Sequence, residues 1–187
     1  MRHLLRPSYH GPTSVETVNG CKPETVIIDK HEETVKDRKP ETVIIDKREE
    51  TIKVSNDSIS YLTSRPIPRG QVLRKVVITV VSRDQGWSSH ADDHGAYRNS
   101  WIWFELSVRS PSEDSVEKWR GEVVRNLHAH SDFKEHTIQM TDGELYEKAE
   151  SGDVFTVWAL AGYPGWVNTV KKITIQLPVV DLDQGAL

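Results

Sequence analysis

Histidines are the residues of this sequence with the most evident chemical potential. His128, His130 and His136 lie close together along the chain. If residues 122–130 form a strand, His128 and His130 project from one face, because side chains alternate along a strand. A His-x-His pair with a third histidine is a plausible zinc or iron site in a β-sandwich. The spacing therefore keeps open a metal-dependent enzyme with Zn or Fe as cofactor, although most such histidines only form hydrogen bonds.

A long polar segment, residues 84–100, offers a second kind of chemistry. It joins two strongly β-forming runs and carries aromatic, amide, carboxylate and imidazole groups. Connections longer than about 12 residues are usually functional or disordered. Residues 162–168 form a second segment rich in turn residues and aromatics. If both segments lie at one end of a domain, they form a rim that suits a glycan, through stacking and hydrogen bonds, or a peptide. The predicted ligand-binding residues are Trp87, Asp92, Asp93, Tyr97, Asn99, Tyr163, Trp166 and Asn168.

Two simpler interpretations of these segments stay open. The aromatic side chains of the loops can instead plug the end of a core, with the polar groups bonded to their own turns. Asp84, Asp92 and Asp93 are also possible calcium ligands, but their spacing is not that of an EF-hand loop.

The sequence lacks the familiar catalytic motifs. It has no Gly-x-Ser-x-Gly, P-loop, Gly-x-Gly-x-x-Gly or His-Glu-x-x-His pattern. Cys21, the single cysteine, lies in the aromatic-poor first part of the chain, without a predicted structured neighbourhood that would lower its pKa, so it is a poor nucleophile candidate. A non-enzymatic binding module without a cofactor is therefore favoured over the histidine-cluster enzyme.

Composition excludes several partners. The 187 residues hold 24 basic and 28 acidic groups, a net charge of -4, which is not the footprint of a nucleic-acid binder. No run reaches the roughly 18 apolar residues of a membrane span, and no secretory segment opens the chain. One cysteine agrees with a reducing compartment, so the expected location is the cytoplasm.

Aromatic residues divide the chain near Gly70. All six Trp and all three Phe follow this point, and only Tyr9 and Tyr61 precede it. Because aromatic side chains contribute much of the energy of burial, residues 1–69 are predicted to be a poorly packed arm. Residues 70–180 are predicted to be the folded domain, and residues 181–187 a C-terminal tail. The prolines of residues 63–70 mark the junction.

The predicted arm contains a tandem repeat. Residues 22–30 recur as residues 39–47, and residues 32–36 recur with one change as residues 49–53, at an offset of 17. Each copy holds a β-branched triplet, Val26–Ile28 and Val43–Ile45, that favours an extended chain. A disordered linker is the simplest interpretation. The triplets are alternatively protein-contact motifs that add to a sheet edge on a partner or on this protein itself, or elements of a self-assembling structural protein.

The rest of the chain predicts antiparallel β-structure. Six runs rich in β-branched and aromatic residues start near residues 73, 101, 122, 135, 153 and 167, with turn signals between them. Only residues 143–150 have a helical pattern. The expected fold is all-β, an antiparallel β-sandwich or jelly roll. Its predicted core is Val76, Ile78, Val80, Trp101, Trp103, Leu127, Ile138, Phe155, Val157, Ile173 and Ile175, or the alternate face of a strand.

Four segments of the domain resemble an uncharacterised domain of fungal proteins. They are residues 82–89, 95–105, 125–129 and 162–168, within a similar region of about residues 73–177. The strand content also resembles that of galactose-binding-like sandwiches. The resemblance implies a β-sandwich and no particular activity, and a shared fold does not decide function.

Overall fold

The computed structural model describes residues 41–112 and 115–182, and this part of the chain forms nine strands in two antiparallel sheets. A six-residue helix and a short 3-10 helix, Ala91–Asp93, interrupt the strands. The elements are β1 Thr42–Ser55, β2 Asp57–Thr63, β3 Gln71–Leu73, β4 Val77–Arg83, β5 Ile102–Arg109, β6 Glu117–Arg125, β7 Lys134–Gln139, α1 Gly143–Lys148, β8 Val154–Ala161 and β9 Val167–Asp181.

One sheet has the strand order β1-β9-β4-β7, with β3 also paired to β9, and the other has the order β2-β8-β5-β6. The first two strands belong to different sheets, and the chain crosses between them at Asn56, which has a φ of 50°. Asparagine tolerates this left-handed conformation better than most residues do. The predicted all-β antiparallel sandwich is confirmed.

The core lies between the two sheets. In β4 the buried residues alternate with half-buried ones, as a strand with one face on a core requires. Its Ile78 and Val80 share one hydrophobic cluster with Phe104 of β5 and Phe155 of β8. Seven of the predicted core residues are buried, namely Val76, Ile78, Val80, Phe155, Val157, Ile173 and Ile175.

The prediction that residues 1–69 form a poorly packed arm is wrong for residues 42–63. These residues are β1 and β2, and 12 of the 14 residues of β1 pair with β9, with a shift of register between Glu49 and Ile52. The segment is poor in aromatics, yet Ile44, Val54 and Tyr61 are buried in the core, so aliphatic residues and one tyrosine suffice. The first copy of the repeat, with Val26–Ile28, lies outside the described residues.

The core prediction is wrong for Trp101 and Trp103. The neighbouring residues Ile102 and Phe104 are buried instead, on the face that also carries Leu106 and Val108, whereas the face of Trp103 also carries the charged Glu105. Leu127 and Ile138 are only half-buried.

The third strand also differs from its prediction. It is β6, and it ends at Arg125, so residues 126–130 are not strand. Ala129 has a φ of 54°, a left-handed conformation that a continuing strand cannot contain.

The predicted helical segment is confirmed as α1, which begins after Asp142, whose carboxylate accepts a hydrogen bond from the backbone NH of Glu144. The predicted C-terminal tail begins too early, since β9 continues to Asp181 and pairs with β3 there. Within the described residues, no helix has the length and apolar character that crossing a membrane requires.

Candidate functional site

Sheet pairing brings the two polar segments to one end of the sandwich. The first, residues 84–101, joins β4 to β5, and the second, residues 162–166, joins β8 to β9. The end of β4 pairs with the start of β9, and the start of β5 pairs with the end of β8. Both segments therefore leave the sheets at the same end. The backbone NH of Gly162 also donates to the carbonyl of Trp101, at 2.9 Å.

Aromatic side chains surround a cleft between these two segments. Trp87 and Trp101 are 65% and 41% exposed, and Tyr163, also 50% exposed, packs edge-on against Trp101 with ring centroids 4.5 Å apart. The cleft has a volume of about 200 Å³. We call it the aromatic cleft; its lining residues are Gln85, Trp87, Ser88, Ser89, His90, Trp101, Pro164, Gly165 and Trp166.

Gln85 ties the two sides of the aromatic cleft together. Its Nε2 donates to the carbonyl of Trp87 at 3.0 Å, and its Oε1 accepts from the backbone NH of Val167 at 3.1 Å. One side chain thus joins the segment that carries Trp87 to the first residue of β9. Such cross-linking fixes the spacing of the aromatic walls before any ligand arrives.

Asp84 anchors the start of the first segment. It is buried, and its carboxylate accepts hydrogen bonds from the backbone NH groups of Ala129, at 2.8 Å, and of Gln85. Burial raises the pKa of Asp84 above its usual value, and these two backbone donors partly oppose that effect. The carboxylate is thus occupied by the backbone of the adjoining turn.

His128 supports the cleft from behind. Its ring is fully buried and meets Trp166 edge-on, with centroids 5.0 Å apart. Its Nδ1 lies 2.9 Å from the carbonyl of Asn99, so Nδ1 carries the proton and donates it, since a carbonyl can only accept. Its buried Nε2 has no hydrogen-bond partner among the described residues. This histidine positions an aromatic wall and is not exposed to a ligand.

The predicted ligand-binding residues divide into two groups. Trp87 and Trp166 line the aromatic cleft, and Tyr163 packs against Trp101, which also lines it. The other predicted residues do not line it, because their polar groups bond within the protein or lie elsewhere on the surface; these are Asp92, Asp93, Tyr97, Asn99 and Asn168.

Asp93 and Asn99 stabilise the first segment itself. The amide of Asn99 donates to the Asp93 carboxylate at 2.6 Å, and Arg98 forms an ion pair with that carboxylate at 3.1 Å. The hydrogen bond from Asn99 holds the pKa of Asp93 below its usual value, with Arg98 assisting. Asn99 has a φ of 54°, a conformation typical of a tight turn. Asp92 is exposed beside them.

Asn168 and Tyr97 lie away from the cleft. Asn168 is fully buried, and its amide donates to the carbonyl of Leu160 and accepts from Asn126, each at 3.3 Å. Tyr97 contacts His136 of β7, with its hydroxyl 3.2 Å from Nε2.

The three predicted metal ligands do not form a metal site. His128 is buried behind the cleft, and the Nδ1 of His130 lies 3.1 Å from the carbonyl oxygen of Asp132. His136 contacts Tyr97. Because the strand ends at Arg125, His128 and His130 do not share a strand face. Within residues 41–112 and 115–182, no group of three His, Cys, Asp or Glu side chains is placed to hold a metal ion, calcium included. The residues therefore do not fit the zinc or iron alternative.

Sequence reasoning missed several lining residues. Trp101 was assigned to the core, and Gln85, Ser88, Ser89, His90 and Pro164 were not singled out. Trp101 could have been found from the alternation of β5, since a strand that buries Ile102 and Phe104 must turn Trp101 outward. Gln85 gives no comparable signal, because nothing in sequence shows that its amide spans two segments.

Comparison with known proteins gives only distant structural similarity. No family model and no curated protein matches the chain, so the resemblance to a fungal domain finds no support. A structure of infectious bursal disease virus, Gt strain, is similar with a TM-score of 0.42 and 8% identity, over 80% of this chain and 39% of the viral chain. The chain thus spans about two fifths of the viral chains it matches.

Two smaller structures are also similar. One is the CBM36-1 domain of a multidomain xylanase from the hindgut metagenome of Trinervitermes trinervoides, with a TM-score of 0.33 and 12% identity, over 73% of this chain and 96% of that one. The other is the xylan-binding module CBM15, with a TM-score of 0.32 and 15% identity, over 70% and 97%. Similarity at this level carries no argument about the ligand, which must come from the residues of the cleft.

Proposed function

We propose that this protein is a non-enzymatic binding module that holds a neutral glycan in the aromatic cleft. The observation that carries the proposal is the exposure of Trp87 and Trp101 in one cleft, with Tyr163 packed against Trp101, while most apolar residues of the strands are buried or half-buried. Exposed aromatic surface gathered in one place is typical of a binding site. Tryptophan and tyrosine offer apolar faces that stack on the C–H face of a sugar.

The electrostatics of the cleft favour an uncharged ligand. None of the cleft residues is Asp, Glu, Lys or Arg, and His90 is the one titratable group among them. The serine hydroxyls and the imidazole both donate and accept hydrogen bonds, as sugar hydroxyls do. A charged peptide would find no opposite charge among the lining residues.

The size of the cleft indicates which part of a ligand it holds. Its volume of about 200 Å³ is below the range of about 300–1,000 Å³ typical of pockets that enclose a drug-sized molecule. We therefore expect the cleft to contact one part of a longer glycan rather than to enclose a whole ligand.

Glycan-array screening followed by calorimetry tests the proposal. We expect Trp87→Ala and Trp101→Ala each to weaken binding of the selected glycan about tenfold or more, because a buried aromatic anchor often contributes 2 kcal/mol or more. Phe133→Ala is the matched control, since this residue is 40% exposed and does not line the cleft. No glycan binding, binding of peptides alone, or equal losses in all three variants would refute the proposal.

The predicted protein contact through the repeat is a separate proposal. In the second copy, Val43 and Ile45 are 46% and 53% exposed, while the backbone of Val43–Ile45 pairs with β9. A partner would therefore meet only the outward side chains of this copy. Location in the cytoplasm and the absence of a cofactor stay predictions from the sequence.

A further inference from the structure

The second copy of the repeat is an integral strand of the sandwich. Residues 42–53 form most of β1 and pair with β9. Ile44 lies opposite Leu177 and is buried in the core. The carboxylate of Asp46 accepts hydrogen bonds from the backbone NH and the Nε of Arg65, at 3.0 and 2.9 Å. The place beside β9 thus recognises an extended segment with isoleucine and aspartate at fixed spacing.

The first copy of the repeat carries the same recognition residues. Residues 25–36 match residues 42–53 at every position except two, where His31 replaces Arg48 and Val35 replaces Ile52. Ile27 corresponds to Ile44, and Asp29 corresponds to Asp46. Backbone pairing along a sheet edge does not depend on the side chains, so the segment meets the main requirements of the place that β1 occupies.

The two copies differ at two positions whose contacts favour the second copy in the place beside β9. Arg48 donates to the carbonyl of Tyr61 at 2.7 Å and lies over the Tyr61 ring, 5.0 Å from the centroid. Val54, buried in the core, corresponds to Asp37 after the first copy. A carboxylate in that place would be buried without a partner, which is costly. The second copy is also followed directly by β2, whereas the first copy in the same place would leave a longer connection to β2. This longer connection costs little, because loop-closure entropy grows slowly with length.

We propose that the edge of β9 accepts either copy of the repeat, so that residues 25–36 take the place of residues 42–53 when the second copy is displaced. The chain then contains its own replacement for an edge strand. The second copy occupies the place by preference because of Arg48 and Val54, and the first copy is the occupant once those contacts are lost. This exchange is independent of the aromatic cleft, so its failure leaves the proposed glycan binding untouched.

Two matched aspartate substitutions test the exchange by thermal unfolding. Ile44→Asp disables the second copy and Ile27→Asp disables the first. We expect Ile27→Asp to leave the Tm unchanged and Ile44→Asp to keep a cooperative transition. The double variant should lose at least about 5 °C more than Ile44→Asp alone, because no intact copy remains. The milder pair, Ile44→Ala and Ile27→Ala, repeats the comparison with smaller changes.

A disulfide reports the position of the first copy directly. Lys47 lies opposite Thr174 in the pairing of β1 with β9, and Lys30 is its equivalent in the first copy. With Cys21→Ser removing the native thiol, Lys30→Cys with Thr174→Cys should cross-link within one chain in the Ile44→Asp background. The control is Lys47→Cys with Thr174→Cys, which should cross-link in the chain with Ile44 intact.

Three results would overturn the exchange. The first is an Ile44→Asp variant that unfolds fully, or whose Tm equals that of the double variant. The second is a Lys30→Cys and Thr174→Cys pair that stays reduced while the control pair cross-links. The third is a cross-link that forms only between two chains, which would make a second molecule the occupant.

Discussion

Substitution of Asn168 tests whether this residue stabilises the end of the sandwich or binds a ligand there. Sequence reasoning placed it among the ligand-binding residues, and the structure buries it in a chain of polar contacts. The hydroxyl of Ser82 donates to Asn126 at 2.6 Å, Asn126 donates to Asn168, and Asn168 donates to the carbonyl of Leu160. In Asn168→Ala, Asn126 and Leu160 each lose one hydrogen-bond partner.

The expected cost follows from these two losses. A buried group deprived of its partner costs about 1–3 kcal/mol, and the 3.3 Å length of both bonds places each loss at the lower end. With a small cavity added, we expect Asn168→Ala to lower the free energy of unfolding by about 2–3 kcal/mol. For a domain of this size the Tm should fall by about 4–12 °C.

Urea and thermal unfolding, followed by tryptophan fluorescence, measure this loss. Gln139→Ala is the matched control, because this amide is exposed on β7 and its removal should change stability by less than about 0.5 kcal/mol. Glycan affinity of folded Asn168→Ala should stay close to that of the unmodified protein. The reasoning is refuted if Asn168→Ala unfolds like the control and yet loses the ligand.

Three further predictions concern the loops and the pH dependence. Gln85→Ala should weaken glycan binding severalfold at a stability cost of only about 1 kcal/mol, by calorimetry and urea unfolding, because it frees the two cleft segments from each other. Gly86→Ala should cost about 1–3 kcal/mol of unfolding free energy in urea, since Gly86 has a φ of 89° and an added Cβ would lie 2.8 Å from the Cβ of Ser131. Burial, aided by the charge of Lys134, lowers the pKa of His136. The neutral His136 ring therefore contributes its full stability above the pKa of 6.5 of the unfolded chain, and this contribution is lost as the pH falls through the lower pKa of the folded protein. His136→Gln should therefore flatten the fall of Tm between about pH 7.5 and pH 5, and an unchanged slope would contradict this.

Strand content was predictable because it depends on local patterns, whereas the meeting of the two loop segments depends on the pairing of strands that are far apart in sequence. Runs of β-branched and aromatic residues form strands in many contexts, and turn residues separate them. Trp87 and Trp166, which line the cleft, both lie within such turn-rich connections.

The burial of polar loop residues was not predictable in the same way. An asparagine that contacts a ligand and one that bonds a buried carbonyl have the same sequence signature. Asn99 and Asn168 are both of the second kind, and only the fold shows it. The arm was misjudged for a related reason: a low aromatic content indicates few large core residues, yet Ile44 and Val54 are buried without them.

Stability and binding are assigned to different side chains at this end of the sandwich, and that separation is what makes glycan recognition testable. Asp84 and Asn99 bond to backbone or to neighbouring side chains, so their loss should loosen the loops. Trp87 and Trp101 are exposed around the cleft, so each can be truncated with little loss of stability. If the aromatic side chains served only to cover the end of the core, their truncation would lower stability, and binding would be lost only as a consequence. Truncating Trp101 would then lower the Tm as much as Asn168→Ala does, and binding would fall only as the fold is lost.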